Sequence, residues 1–307
     1  MPVAALYATV VLIWGTTWFA IEFQLGTVAE ELSVAYRFAI ASACLFAYAR
    51  ATGRDLAVPP RDYGLIVVMG ALMFSISYVL VYIGTGYITS GLVAVLYSLI
   101  VIFNGGLERV FYGTPVDRRL VAASFVGLSG TALVFWPEVA TLDLADRTVL
   151  GIAWTVASVF VAALGNMAAI GNTRRGMPIV VVNAHAMAWG AGASLLIATV
   201  LDRPISFSLA PGYVASLAFL AIFGSSIAFG CFLALIKQVG SARASYASVL
   251  FPIVALLVST LFEGYRWTPE AIGGVGLILT GNWLALTRMP TRQHNTNKQQ
   301  IKQGDQQ

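Results

Sequence analysis

Residues 64–84 read GLIVVMGALMFSISYVLVYIG, a run without a single charged side chain. About 20 apolar residues in a helix cross the hydrocarbon core of a bilayer, where lipid offers no partner to an unpaired backbone N–H or C=O. Outward from this run, similar stretches occupy 3–23, 32–50, 88–107, 119–137, 148–170, 178–200, 213–236, 242–262 and 270–288. Hydrophobic residues fill 58% of the 307 positions and charged residues only 10%, against roughly 25% charge in a soluble domain. The loops between the runs are too short to fold on their own. The sequence predicts an all-α integral membrane protein of ten transmembrane helices.

Lysine and arginine resist translocation and collect in cytoplasmic loops. With the N-terminus inside, only Arg147, Arg203 and Arg266 of the 18 basic residues fall outside, and Arg37 lies within a span. All the others fall inside, so both termini are expected in the cytoplasm. The net charge of +4 follows from the same bias. Without a dense basic cluster or a recognition motif it does not imply nucleic acid. Met1-Pro2 leads straight into an apolar run with no charged region before it, which reads as a retained first helix and not a signal peptide. The Gln-, Asn- and Lys-rich residues 289–307 are expected to be a disordered cytoplasmic tail. Cys44 and Cys231 lie in apolar runs and read as small buried side chains, with no disulfide, metal site or cofactor implied.

The second half reads as a diverged copy of the first. A shift of 154 lays Gly86 on Gly240, Val95-Leu96 on Val249-Leu250, Leu107 on Leu261 and Thr114-Pro115 on Thr268-Pro269. Past Asp117 to Arg119 the shift becomes 151 and lays Gly130 on Gly281 and Leu133 on Leu284. Each Thr-Pro suits a helix start, threonine as N-cap and proline in the first turn. An odd number of spans per copy makes the copies enter the membrane from opposite sides. The expectation is two inverted five-helix repeats, 1–140 and 148–288, the arrangement that places a substrate site near the midplane of a secondary transporter.

Trp14-Gly15-Thr16-Thr17-Trp18-Phe19, Tyr36-Arg37-Phe38 and the glycine-rich last span from Thr268 through Gly281 carry a family likeness. Over roughly residues 5–288 the chain resembles the drug/metabolite transporter superfamily in its EamA-type branch. Within it the chain is similar to bacterial inner-membrane exporters of aromatic amino acids. Many members carry Gly-Glu-Arg before the last helix of a repeat; here the order is Glu263-Gly264-Tyr265-Arg266, with Glu108-Arg109 in the first copy. The resemblance implies a multi-pass inner-membrane protein that exports or exchanges small metabolites, aromatic and other neutral amino acids foremost, by alternating access. The export direction rests on the resemblance alone. The same fold with another metabolite as substrate is the nearest alternative.

Trp14 and Trp18 are four apart and share a helix face, as do Tyr78 and Tyr82. Aromatic walls of this kind suit a flat amphipathic solute, although packing alone explains either pair equally well. Asn166 and Asn183 are polar groups at membrane depth, which either bond across helices or line a pathway. Ser245, Tyr246 and Ser248 precede Pro252, whose missing donor frees the Ser248 carbonyl and predicts a kink. The expected substrate-binding set is Trp14, Trp18, Tyr78, Tyr82, Asn166, Tyr246 and Ser248. Arg37 is expected to snorkel or to pair with Glu22, Glu30 or Glu31. With no carboxylate near mid-membrane, facilitated exchange fits at least as well as proton coupling.

Two other classes compete. Gly127-Leu128-Ser129-Gly130 with His185 is a weak match to an intramembrane serine protease, which needs serine and histidine within hydrogen-bond reach. No charge ring or carbonyl-filter sequence marks a channel, and no P-loop marks an ATP-driven pump. The topology is open to direct measurement. Gly26→Cys, Arg147→Cys and Arg203→Cys should react with an impermeant maleimide in sealed cells, and Arg54→Cys, Arg118→Cys and Arg174→Cys only after permeabilisation. Labelling at position 118 in sealed cells reverses the orientation.

Overall fold

The computed structural model describes residues 1–88, 93, 96–115, 118–134, 136, 147–262 and 267–286. The expected tail, 289–307, lies outside them. The described residues form helices joined by turns and short irregular loops. Six helices are long and apolar enough to cross a membrane: α1 (Val3–Glu22), α2 (Glu30–Ala51), α3 (Pro60–Thr85), α6 (Arg147–Arg174), α7 (Ile179–Val200) and α8 (Pro211–Val239). Shorter helices include α4 (Ile100–Tyr112), α5 (Arg118–Val134), α9 (Phe251–Phe262) and α10 (Pro269–Leu286), with a single turn at Ser241–Ala244 ahead of α9.

Helix ends follow local chemistry. Pro60, Pro211 and Pro269 open α3, α8 and α10, where the lost N–H costs nothing and φ is already helical. Thr268 caps α10 as expected, its Oγ1 accepting from the Ala271 N–H at 3.2 Å. The matching Thr114-Pro115 leads to α5, which begins at Arg118 after two residues outside the described set. Gly113 closes α4 at φ +65°, its N–H returning to the Arg109 carbonyl at 3.0 Å, the left-handed cap that glycine takes without steric cost.

Among the described residues, three helical stretches depart from α geometry. Leu72–Ile76 within α3 and Leu220–Ile227 within α8 are π-helical, and Ser245–Leu250 ahead of α9 is a 3-10 helix. The last answers Pro252 directly. The proline cannot donate to the Ser248 carbonyl, so the tightened turn brings the Phe251 N–H there instead.

The packing follows an exchange rule. Helices α2 and α7 pack against each other, as do α5 and α10. Helix α6 packs on α3 and α4 while α1 packs on α8 and α9; α3 also packs on α7 while α8 packs on α2. The α5–α10 crossing is held by glycines. A Cβ on Gly130 would lie 2.6 Å from the Gly274 carbonyl oxygen, and one on Gly281 would lie 2.9 Å from that of Ala123. Small residues admit such backbone approach, the main route to helix association where lipid is as apolar as leucine. Gly130→Leu or Gly274→Leu should therefore lower stability by about 1–3 kcal/mol through overpacking. Gly276→Leu, which meets nothing within 4 Å, should be silent; thermal denaturation in detergent, followed by size-exclusion fluorescence, separates the two cases.

Candidate functional site

Two of the irregular stretches border one narrow cavity of about 750 Å³, counting its open mouth, and the third, in α8, leads into residues that do. Met73 comes from the π-turn of α3, and Ser77 and Tyr78 from the turn after it; Phe229 and Phe232 follow the π-turn of α8. The 3-10 stretch supplies Ser245, Ala247 and Ser248. Helices α1, α2 and α6 add Trp14, Trp18, Arg37 and Asn166, so residues from both halves of the chain meet there.

The aromatic wall is interlocked. The Trp14 ring packs edge-on against Phe229 at 4.8 Å between centroids and lies 5.1 Å from Phe232. Its indole N–H donates to the Gly224 carbonyl at 2.8 Å, inside the π-turn of α8. Trp18 lies 5.1 Å from Tyr97, whose hydroxyl donates to Ser158 Oγ at 2.7 Å; Ser158 in turn donates to the Ser77 carbonyl at 2.6 Å. Loosened backbone in α3 and α8 is thus tied to side chains from other helices, which is what makes it tolerable at membrane depth.

A polar track runs from the cavity toward the end of the bundle where α1 begins. Ser241 Oγ donates to Glu108 at 2.8 Å, and Ser245 donates to the Ser241 carbonyl at 2.8 Å. With its proton so committed, Ser245 Oγ accepts from the Asn104 amide. The Asn104 carbonyl oxygen therefore faces the Asn166 amide, which donates to it at 3.2 Å. The Asn166 carbonyl oxygen is left buried and unpaired.

Of the expected set, Trp14, Trp18, Tyr78, Asn166 and Ser248 border the cavity. Tyr82 does not: one turn on from Tyr78, it is fully buried and its hydroxyl donates to Gln24 at 2.9 Å. Tyr246 does not either. Its ring packs with Val101, Ala123 and Ile278, and its hydroxyl turns toward Ser124 and Gly127. Asn183 is buried away from the cavity with neither amide atom paired. Cys44 and Cys231 are free and only half-buried.

Arg37 departs most from expectation. It is 1% exposed and does not snorkel. Its side chain turns inward, where Nε donates to Ser225 Oγ at 2.9 Å and the guanidinium stands 4.7 Å above the Tyr78 ring centroid. The Tyr82 hydroxyl lies near the guanidinium as well. Glu31 pairs with Arg203 at 3.6 Å instead. Its position near one end of the span concealed this: sequence fixes height along a helix better than the direction a long side chain takes.

Ser129 and His185 are not brought together. Ser129 is exposed on α5, while His185 on α7 lies 3.0 Å from the Leu56 carbonyl and 3.4 Å from the Tyr63 hydroxyl.

The profile of the EamA-like transporter family matches residues 1–136 and 149–287. The chain belongs to that family. It is a multi-pass membrane protein of the transporter class. Its relatives include an uncharacterised transporter of Archaeoglobus fulgidus, 24% identical over 92% of this chain and 97% of the relative. Protein PagO of Salmonella typhimurium is 21% identical over 93% of both, and the uncharacterised inner membrane transporter YedA of Escherichia coli is 23% identical over 86% of this chain and 84% of its own length. One solved crystal structure overlays with a TM-score of 0.76 at 19% identity, covering 93% of this chain and 96% of the other, and so shares the fold. A transporter with an exposed Ser129 predicts that Ser129→Ala keeps membrane expression and substrate flux at parent levels. Loss of a proteolytic activity on a defined substrate in that variant would instead revive the protease.

Proposed function

We propose that this protein is a secondary transporter that exports or exchanges aromatic and other neutral amino acids by alternating access between two inverted five-helix repeats, residues 1–140 and 148–288. The observation that carries the reading is the aromatic-walled cavity bordered by irregular helices of both halves. Such pockets bury most of a small ligand's surface and orient it with a few polar groups.

Several observations support the repeat. Helices five places apart trade packing partners, so that α6 on α3 and α4 mirrors α1 on α8 and α9. The π-turns fall in the third and eighth helices. Under the 151-residue shift the Gly130–Gly274 contact maps onto Gly281–Ala123, a self-complementary crossing. The family profile divides at the same place, between 136 and 149. The Escherichia coli relative is named for the inner membrane; we assign this chain to a bacterial inner membrane, both termini cytoplasmic.

Counterflow in proteoliposomes tests the reading, with radiolabelled phenylalanine, tryptophan and leucine against sugars, bases and cations, with and without a proton gradient. Amino acids should exchange, and Ser248→Trp should abolish exchange at unchanged expression by filling the cavity. Trp18→Ala or Tyr78→Ala should shift the preference between aromatic and aliphatic substrates. Exchange of a different metabolite class alone would refute the amino-acid assignment.

A further inference from the structure

Resting on the transport reading, we infer that the cavity recognises a carboxylate, with Arg37 as its anchor, and rejects amphipathic cations. The ion pairs formed among the described residues, Arg61–Asp62, Arg175–Asp62 and Arg203–Glu31, leave Arg37 out. It borders the cavity, is buried, and carries one guanidinium nitrogen, Nη1, without a hydrogen-bond partner. A charge removed from water is costly unless it is paired and hydrogen-bonded. Ser225 and the Tyr78 ring compensate in part, and an anion would complete the shell. Guanidinium is the side chain best matched to a carboxylate, through its planar fork of donors.

Two of the three other unpaired groups around the cavity can also donate. The Trp18 indole N–H and the Ser248 hydroxyl are buried without partners, and both can donate to an anion. The one unpaired pure acceptor there is the Asn166 carbonyl oxygen, fixed in that sense by the relay through Asn104 and Ser245. It can receive an N–H of an amino acid without supplying a full negative charge. A bare cation would meet Arg37 with no carboxylate among the described cavity residues to offset it. Arg37 itself is held in place by Ser225 from α8, with the Tyr82 hydroxyl, which is braced on Gln24, beside it. That bracing accounts for Tyr82 standing behind the cavity.

The test uses matched compounds sharing one apolar group: phenylalanine, phenylalaninamide, phenethylamine and phenylacetate, then the corresponding indole series. Thermal stabilisation of the purified full chain reports binding, and competition in counterflow reports transport. Phenylalanine and phenylacetate should stabilise the parent, while the amide and the amine should not. Arg37→Gln should raise the half-saturating concentration of the acids at least about tenfold, as expected when a hydrogen bond to a charged group is lost. Arg37→Lys should recover part of it. If Arg37→Gln fails to fold, the acid-against-amide comparison on the parent decides alone. The inference is overturned if amide or amine binds as well as acid, if a folded Arg37→Gln binds acids like the parent, or if no acid in either series stabilises at millimolar concentration. Arg37-dependent stabilisation by phenylacetate without amino-acid exchange would keep the carboxylate site and remove the amino-acid assignment. Exchange of phenylalanine with equal binding of its amide would do the reverse.

Discussion

In hydrocarbon every backbone N–H and C=O must find its partner inside the protein, and a regular α-helix is the cheapest way to meet that demand. Departures from α geometry are therefore informative. The described residues make three, at Leu72–Ile76, Leu220–Ile227 and Ser245–Leu250; the first and last border the cavity, and the second leads into Phe229 and Phe232, which do. Each is repaired by a side chain or a neighbouring amide: Ser158 on the Ser77 carbonyl, Trp14 on the Gly224 carbonyl, and the Phe251 N–H on the Ser248 carbonyl. The repairs bring aromatic rings and hydroxyls to one place. Substrate chemistry and backbone satisfaction share the same residues here, so a mutation at Trp14 is expected to affect both.

The packing divides into tight and open parts. Where α5 crosses α10 the backbones approach so closely that Gly130, Gly274 and Gly281 have no room for a Cβ. Around the cavity the contacts are between rings and hydroxyls, with centroids 4.8 to 5.9 Å apart around Trp14. Close-packed glycine seams act as fixed pivots, because interdigitated backbone has few alternative arrangements. Hydrogen bonds between side chains, such as those joining Glu108, Ser241, Ser245 and Asn104, can break and re-form with a modest net change in free energy. For a carrier of the proposed kind, motion belongs on the polar track and stability on the glycine seam.

Much of this was legible in the sequence because it depends on period and composition. The apolar runs located the helices to within a few residues where the structure describes them, as with 32–50 against Glu30–Ala51. The fourth run, 88–107, falls in part on residues outside the described set and overlaps the helix Ile100–Tyr112. Pro252 announced an irregular turn, although not that a 3-10 helix would absorb it. The i, i+4 rule put Trp14 and Trp18 on one face correctly but misled for Tyr82. Four residues advance a helix by about 400°, and the remaining 40° with one turn of height carries Tyr82 behind the wall. Tyr246 was expected at the cavity and is not there, for a related reason. In a 3-10 helix residues one apart point 120° from each other, so Ser245, Ala247 and Ser248 border the cavity while Tyr246 turns to α5 and α10.

Arg37 was the residue least legible, and it changes the physical picture of the site. A wall of aromatic rings with neutral hydroxyls would hold any flat apolar solute, cationic or anionic, and rings alone favour cations. One buried guanidinium reverses that preference, because the ring that would have attracted a substrate cation, Tyr78, already has Arg37 over its face at 4.7 Å. The same contact limits how tightly an anion is held. Tyr78 and Ser225 stabilise the empty state, so an arriving carboxylate gains only the difference between its own bonds and that existing partial compensation. A carrier needs such a balance: a site that bound its substrate with the full strength of a buried ion pair would release it too slowly to turn over.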